Sequence, residues 1–193
     1  KEVDTKKNSP KKIVIKTTDT NDEKIKIENT LINSKEEDKI YGLYDPEKNN
    51  LDLNMWSSTS AEDVRASLKR IKKIKLSKTS NEILENILLS YSFPPQGMAE
   101  KEFTSLKINW LVENNRSELI EIFLKQNENF YSKDKAVQFL VDENIAQANI
   151  QEGCKKIKFI GSSIKDSYLE KFKIYCLVLD NKKAQAQLLL DLL

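Results

Sequence analysis

Apolar and polar positions recur with helical spacing over most of the chain beyond residue 60. A first helix is predicted over 61–74 and a second over 80–91. Their inward faces are expected to comprise Val64, Leu68, Ile71 and Ile74 in the first helix, and Ile83, Leu84, Ile87, Leu88 and Tyr91 in the second. Each helix is predicted to begin at a pair of residues with capping-box spacing, in which the first residue is the N-cap. These pairs are Thr59 with Glu62, and Thr79 with Glu82.

Beyond a proline-containing break at 92–97, the apolar pattern repeats at an offset of 33 residues. Three stretches superpose in this register, beginning near Phe103, Ala136 and Leu169. The matched apolar positions are Leu106, Phe139 and Phe172; Ile108, Val141 and Ile174; Val112, Ile145 and Val178; and Leu124, Ile157 and Leu190. Because polar residues lie between the two halves of each stretch, each stretch is predicted to form a helix, a tight turn and a second helix.

The predicted hairpins pair 99–113 with 117–126, 133–147 with 149–158, and 165–179 with 182–193. One hairpin cannot bury its apolar face alone, so consecutive hairpins are expected to stack. We therefore predict an all-α fold, a short right-handed α-solenoid of antiparallel hairpins with a period of about 33 residues. Helices 61–74 and 80–91 would form an earlier, looser pair. The alternative is a helical bundle without a repeat.

Three regions are predicted along the chain. Residues 1–38 are polar and rich in lysine, which predicts a disordered tether. Residues 39–58 are rich in aromatic and large apolar side chains, including Tyr41, Tyr44 and Trp56, and are broken by turn signals, which predicts an extended segment docked on the helices. The alternative for this segment is a short motif that docks on another protein. Residues 59–193 form the helical-repeat domain.

The repeat length and hairpin organisation over 59–193 resemble the tetratricopeptide-like superfamily. Ala184 and Ala186 match small-residue positions of that superfamily, whereas Gly153 and Lys156 depart from its pattern, and no proline closes each unit. The order of an LYDP segment at 43–46, an MW pair before a serine- and threonine-rich cap, and a helical array with a proline break also resembles an uncharacterised family of bacterial envelope proteins. This second resemblance implies a periplasmic or envelope-associated location, with the cytoplasm as the alternative, and implies no known activity.

Composition restricts the chemistry that this chain can perform. The 193 residues include four glycines and four prolines, which favours helices, and no histidine. The absence of histidine excludes Ser-His-Asp and Cys-His catalysis and the HExxH zinc motif within this chain. No phosphate-binding glycine loop is present either. We therefore predict that the chain is not an enzyme and has no cofactor or metal site.

The two cysteines, Cys154 and Cys176, are 22 residues apart and form no CxxC motif. This spacing favours two buried, unpaired side chains on helices, with a disulfide as the alternative. The longest purely apolar run, at 174–179, is far shorter than the ~20 residues that a membrane-spanning helix needs. The sequence therefore predicts a soluble chain without a transmembrane segment.

Charge is balanced overall at +2, so anion binding would have to be local. The basic run 65–78 provides the one candidate, because Arg65, Lys69, Lys72 and Lys73 lie away from the apolar face of the first helix. Such a run usually faces solvent, but it can also contact an acidic protein, an anionic lipid or a nucleic acid. The candidate partner-binding residues are Arg65, Lys69, Arg70, Lys72, Lys73, Tyr41, Tyr44 and Trp56.

Three functions are compatible with these patterns. The leading hypothesis is a non-catalytic interaction or scaffold module that binds another protein, because helical solenoids present extended binding surfaces. The second hypothesis is a binder of lipid or nucleic acid through 65–78, with weak, non-specific affinity. The third is an accessory domain of a larger chain. The sequence does not define an oligomeric state.

Overall fold

The computed structural model describes residues 39–161 and 166–193, and these residues form eight α-helices and two short 3₁₀ helices without a β-strand. The prediction of an all-helical fold is thus confirmed for the described residues. The predicted tether 1–38 and the predicted helix start at residue 165 lie outside them. The helices are α1 Ala61–Ile71, α2 Lys78–Leu89, α3 Glu100–Glu113, α4 Ser117–Gln126, α5 Lys133–Ala146, α6 Ile150–Lys156, α7 Ser167–Leu179 and α8 Lys183–Leu190, with 3₁₀ helices at Glu47–Asn49 and Ile157–Phe159.

Helix α1 begins at Ala61, as predicted, but its N-cap lies one residue later than the predicted Thr59. The Ser60 hydroxyl accepts the Asp63 N–H at 3.1 Å, so Ser60 and not Thr59 is the N-cap. Thr59 cannot take this role because its carbonyl accepts the Gln96 N–H at 3.0 Å, while the Gln96 carbonyl accepts the Ala61 N–H at 2.9 Å. These two long-range hydrogen bonds keep the chain extended up to Ser60.

Helix α2 begins at Lys78, two residues before the predicted start at 80, and its N-cap is Ser77 rather than Thr79, because the Ser77 hydroxyl accepts the Ser80 N–H at 3.1 Å. Its buried face is also displaced by one residue from the predicted face and consists of Glu85, Leu88 and Leu89. Glu85 is buried because it is ion-paired and hydrogen-bonded, as described below. The prediction that Ile83 points inward is wrong, since its exposed fraction is 54%.

Helix α1 ends at Ile71, three residues before the predicted end, and Ile74 is 60% exposed where it was predicted to be inward. The Lys73 and Ile74 N–H groups bond to carbonyls only three residues back, which tightens and ends the helix before Ile74. The basic residues of this last turn lie favourably at the negative end of the helix dipole.

The turns between α3 and α4, between α5 and α6, and between α7 and α8 share one backbone conformation. Asn115, Ala148 and Asn181 have φ values of 51°, 59° and 58° respectively. In each turn the following N–H bonds to a carbonyl five residues earlier: Arg116 to Leu111, Asn149 to Asn144, and Lys182 to Leu177. From α3 to α8, each helix contacts the next helix along the chain.

The hydrophobic core is centred on α3, α4 and α5. Trp110 is buried, and so are Ile108, Phe123, Leu140 and Val141. Burial decreases towards the C-terminal helices, where Val178 and Leu190 are half exposed although they occupy matched apolar positions of the sequence. Matched spacing therefore does not by itself determine which side chains this chain buries.

Cys154 of α6 and Cys176 of α7 form a disulfide, with their Cα atoms 5.5 Å apart. The favoured interpretation of two unpaired thiols is therefore wrong. The two helices pack side by side, and Gly153 lets the Phe172 ring approach α6, since a Cβ at that position would lie 3.3 Å from the ring. No helix in the described part of the chain is both long and apolar enough to cross a membrane.

Candidate functional site

A groove lies between α1 and α3 and contains three of the basic residues that the sequence selects. Its volume is about 200 Å³. The floor is apolar, and the rim is cationic on α1 and polar on α3. We call this feature the α1–α3 groove, defined by Leu68, Leu106 and Trp110 on the floor and by Arg65, Lys69, Lys72 and Asn109 on the rim.

Helical spacing explains why these side chains meet. Arg65, Lys69 and Lys72 are separated by four and three residues, so they form one stripe along α1 and its C-cap residue, Lys72. On α3, Leu106 and Trp110 are four residues apart and form a matching apolar stripe. Arg70 and Lys73 are exposed and do not line the groove. The structure therefore divides the basic run into a groove edge and an outer face.

Two of the three groove cations are paired with carboxylates of α3. Arg65 bonds to both Glu102 oxygens, Nε to Oε1 at 2.5 Å and Nη2 to Oε2 at 2.7 Å. These hydrogen bonds hold the pKa of Glu102 below its ordinary value. Lys72 Nζ lies 2.7 Å from Glu113 Oε1. Both pairs are open to water, which screens them.

Lys69 lies between these two ion pairs and has no ion-pair partner among the residues that the structure describes. Opposite it, the Asn109 Oδ1 atom accepts a hydrogen bond from Lys135 Nζ at 2.7 Å. This contact fixes the orientation of the amide and leaves the Asn109 N–H groups as donors. The middle of the groove therefore combines a cation and amide donors with an apolar floor.

A second, more polar cavity of about 430 Å³ shares Trp110 with the groove. It lies towards the start of α2 and the turn between α3 and α4. Its other lining residues are Lys78, Asn81, Glu82, Asn114 and Arg116. Trp110 therefore contributes to both cavities, although it is only 8% exposed.

The aromatic residues predicted to contact a partner lie against other parts of the chain itself. The Tyr41 hydroxyl donates to the Asn129 carbonyl at 2.6 Å, and the Tyr44 hydroxyl donates to Glu85 at 3.0 Å. Trp56 packs edge-on against Phe103, with ring centres 5.9 Å apart. Its indole N–H is buried without a hydrogen-bond partner among the described residues.

Residues 41–44, which we call the 41–44 segment, are held mainly through their backbone. The Asn127 side chain donates to the Gly42 carbonyl at 3.0 Å and accepts the Gly42 N–H at 3.4 Å. The Leu43 N–H donates to Leu89, and the Tyr44 carbonyl accepts from Tyr91. Gly42 passes so close to Tyr91 that a Cβ at residue 42 would lie 2.6 Å from the Tyr91 nitrogen.

Lys107 completes the attachment of the 41–44 segment, and sequence reasoning missed it. Its side chain is 1% exposed, and its Nζ donates to the Tyr41 carbonyl at 2.6 Å and to the Ser90 carbonyl at 2.9 Å. Burial lowers the pKa of Lys107 to about 7. The two carbonyls and the Phe103 ring, 4.6 Å away, favour the ammonium and oppose this shift. A signal existed, because Lys107 lies four residues from both Phe103 and Leu111 on the apolar stripe of α3.

Glu85 joins the 41–44 segment to the turn between α3 and α4. It accepts from Tyr44 and from Arg116, whose Nε and Nη2 lie 3.0 and 2.5 Å from Oε2. Burial, together with the adjacent Glu85 carboxylate, raises the pKa of Tyr44 to about 12. This buried carboxylate is therefore fully occupied by internal partners.

The described residues contain no cluster of three or more histidine, cysteine, aspartate or glutamate side chains that could hold a metal ion. Among the same residues, the one amine with a strongly lowered pKa, Lys107, is enclosed in the protein interior. No family model, curated protein or solved structure matches the chain.

Proposed function

We propose that this chain is a non-catalytic interaction module that binds another protein through the α1–α3 groove. The observation that carries this proposal is the open apolar floor of Leu68, Leu106 and Trp110 beneath a polar and charged rim. Protein interfaces commonly combine a central apolar anchor with a polar surround, and tryptophan is frequent among the residues that dominate binding energy. The aromatic residues of the 41–44 segment, by contrast, already have internal partners.

The scaffold part of the proposal is a short α-solenoid of tetratricopeptide-like hairpins. It is supported by the spacing of the left-handed turn residues Asn115, Ala148 and Asn181, each 33 residues from the next. It is also supported by contacts that run mainly between successive helices. In such an array, each hairpin buries its apolar face against its neighbour, and the outer surfaces remain available to a partner.

We propose an oxidising compartment, such as the bacterial periplasm or envelope, as the place of action. The support is the Cys154–Cys176 disulfide, because stable disulfides persist mainly in such compartments. Alkylation of free thiols in intact cells tests this location. A fully protected pair is the expected result, and two rapidly alkylated thiols would contradict it.

Site-specific photo-crosslinking tests the interaction itself. A photoreactive amino acid replaces Lys73, which is exposed and lies one turn from Lys69, in the full chain produced in its native cells. The matched control carries the same group at Gln138, an exposed residue of α5. We expect one reproducible protein adduct from position 73 and not from position 138. Adducts with lipid or nucleic acid alone, or identical adducts from both positions, would overturn the proposal.

A further inference from the structure

We propose that the α1–α3 groove receives an acidic protein segment, with one large apolar side chain on its floor and a carboxylate at Lys69. This inference rests on the proposed function and specifies the chemistry of the partner. It is carried by the shape of the groove together with the distribution of paired and unpaired charges on its rim.

The groove is large enough for one anchoring side chain of a partner, but not for a typical small-molecule ligand. Its volume of about 200 Å³ is below the ~300 Å³ at which small-molecule sites usually begin. Leu68 and Leu106 are half-buried and Trp110 is largely buried, so the floor is formed before a ligand arrives. A leucine-like or aromatic side chain would bury its apolar surface there without requiring the helices to move.

The charges on the rim of the groove are complementary to a carboxylate next to that anchoring side chain. Glu102 and Glu113 neutralise Arg65 and Lys72 at the two ends of the groove. Lys69 remains between them, and the free N–H groups of Asn109 lie on the α3 edge. A cation and amide donors together match a carboxylate, which only accepts hydrogen bonds when it is ionised.

The same charges disfavour a nucleic acid or a membrane surface. The planar guanidinium of Arg65, which would suit a phosphate, already bonds both oxygens of Glu102. Glu102 and Glu113, at the two ends of the groove, would repel a row of phosphates, whereas one carboxylate at Lys69 would lie between them. Ala61 and Val64, on the apolar face of α1, are buried in the protein core and cannot enter lipid.

A short fluorescein-labelled peptide, with one leucine beside one glutamate in an otherwise neutral sequence, is the probe for a fluorescence anisotropy titration of the full chain. Two control peptides replace the leucine by alanine or the glutamate by lysine. We expect each control peptide, and the variant Lys69→Glu, to weaken binding about tenfold or more. Lys171→Glu makes the same charge change at an exposed site on α7 and should bind like the wild type.

Several outcomes would overturn the inference: no binding of the acidic peptide by the wild-type chain, equal binding by Lys69→Glu, or equal binding of the alanine peptide. Binding of DNA or phosphatidylglycerol vesicles that depends on Lys69, without binding of the peptide, would assign the groove to those ligands instead.

Circular dichroism of Lys69→Glu, with Lys69→Ala as a milder second variant, separates lost binding from lost folding. If the peptide fails but the adduct at position 73 persists, this inference fails and the proposed function stands; if both fail, both are overturned.

Discussion

Two surfaces of α3 use lysine side chains in opposite ways. On one surface, the buried ammonium of Lys107 holds the 41–44 segment through two backbone carbonyls. On the other surface, the exposed Lys69 of α1 lies at the rim of the α1–α3 groove, whose open apolar floor is formed partly by Leu106 and Trp110 of α3. The first surface is filled by the chain itself, whereas the second is open to solvent.

The difference shows which polar contacts maintain the fold and which are available for binding. Around the 41–44 segment, Asn127, Lys107 and the C-terminal end of α2 with Tyr91 pair most of the backbone polar groups away from water. Losing such a contact leaves a desolvated group unpaired, which is costly. At the groove, water surrounds the charges, so removing one charge has little consequence for stability. Mutations in the two regions should therefore differ strongly in their effects.

Gly42→Ala is expected to have the largest effect. The new Cβ would lie within 3 Å of three backbone atoms of Leu89 and Tyr91, which cannot move as a flexible side chain could. We expect the free energy of unfolding to fall by about 3 kcal/mol or more, as in severe overpacking. Urea denaturation followed by circular dichroism measures this change.

Gly153→Ala is the matched control for that substitution. Its Cβ would meet the movable Phe172 ring at 3.3 Å, and alanine gains about 1 kcal/mol of helix propensity over glycine. We expect a change smaller than about 1 kcal/mol, because the two effects oppose each other. Equal losses in the two variants would show that the close backbone approach of the 41–44 segment contributes nothing special to stability.

The pH dependence of the free energy of unfolding should reveal the titration of Lys107. Its folded pKa of about 7 lies below the ordinary 10.5, so between these values the unfolded state holds a proton that the folded state has released. The contribution of Lys107 to stability is therefore least favourable below pH 7 and rises with pH towards 10.5. Between pH 7 and 9, we expect a gain of about 2 kcal/mol relative to Lys107→Met, at 1.36 kcal/mol per pKa unit.

Taking the difference between the wild type and Lys107→Met removes the contributions of other groups, including Lys133, whose pKa is also lowered, chiefly by burial. Lys101→Met, at an exposed position of the same helix, should show no such divergence with pH. If the free energies of unfolding of the wild type and Lys107→Met change in parallel with pH, the Tyr41 and Ser90 carbonyls keep Lys107 charged across this range.

Tyr44→Phe tests the link between the 41–44 segment and Glu85. Loss of the hydrogen bond to Glu85 should cost about 1 kcal/mol at neutral pH. Because the folded pKa of Tyr44 is about 12, above the ordinary 10.0, its contribution is present below pH 10 and is lost as pH rises towards 12. The phenylalanine variant should therefore lose less stability than the wild type above pH 10 in urea denaturation.

Tyr131→Phe provides the control for the loss of a phenol. Tyr131 is 56% exposed, so this change should alter stability by less than about 0.5 kcal/mol. If Tyr44→Phe behaves like Tyr131→Phe at both neutral and alkaline pH, the buried hydrogen bond to Glu85 does not stabilise the fold.

Local patterns predicted the helices from α3 onwards well, and the bounds of α4 match the prediction. Several of the failures involve interactions between residues distant in sequence. The N-cap of α1 depends on pairing with Gln96, and the 41–44 segment depends on Asn127, 85 residues from Gly42. No local pattern contains these partners. The disulfide was the less favoured alternative for the same reason, because a spacing of 22 residues does not determine which helix faces meet.

The candidate site was predictable only in part. Helical spacing put Arg65, Lys69, Lys72 and Lys73 on the polar face of the predicted first helix, but it could not show that Arg65 and Lys72 pair with Glu102 and Glu113. Nor could it show that Trp110 forms part of a cavity floor as well as part of the core. Charge along one helix is local information, whereas a groove requires the relative placement of two helices.

Lys69→Ala should have the smallest effect on stability. Lys69 is exposed and pairs with no carboxylate among the described residues, so no buried group loses a partner when it is removed. Alanine also has the highest helix propensity, which offsets the lost packing of the lysine stem. We expect the free energy of unfolding to change by less than about 0.5 kcal/mol in urea denaturation, while the affinity for an acidic peptide falls. A loss above 1 kcal/mol would mean that Lys69, like Lys107, maintains the fold, and the contrast between the two surfaces of α3 would fail.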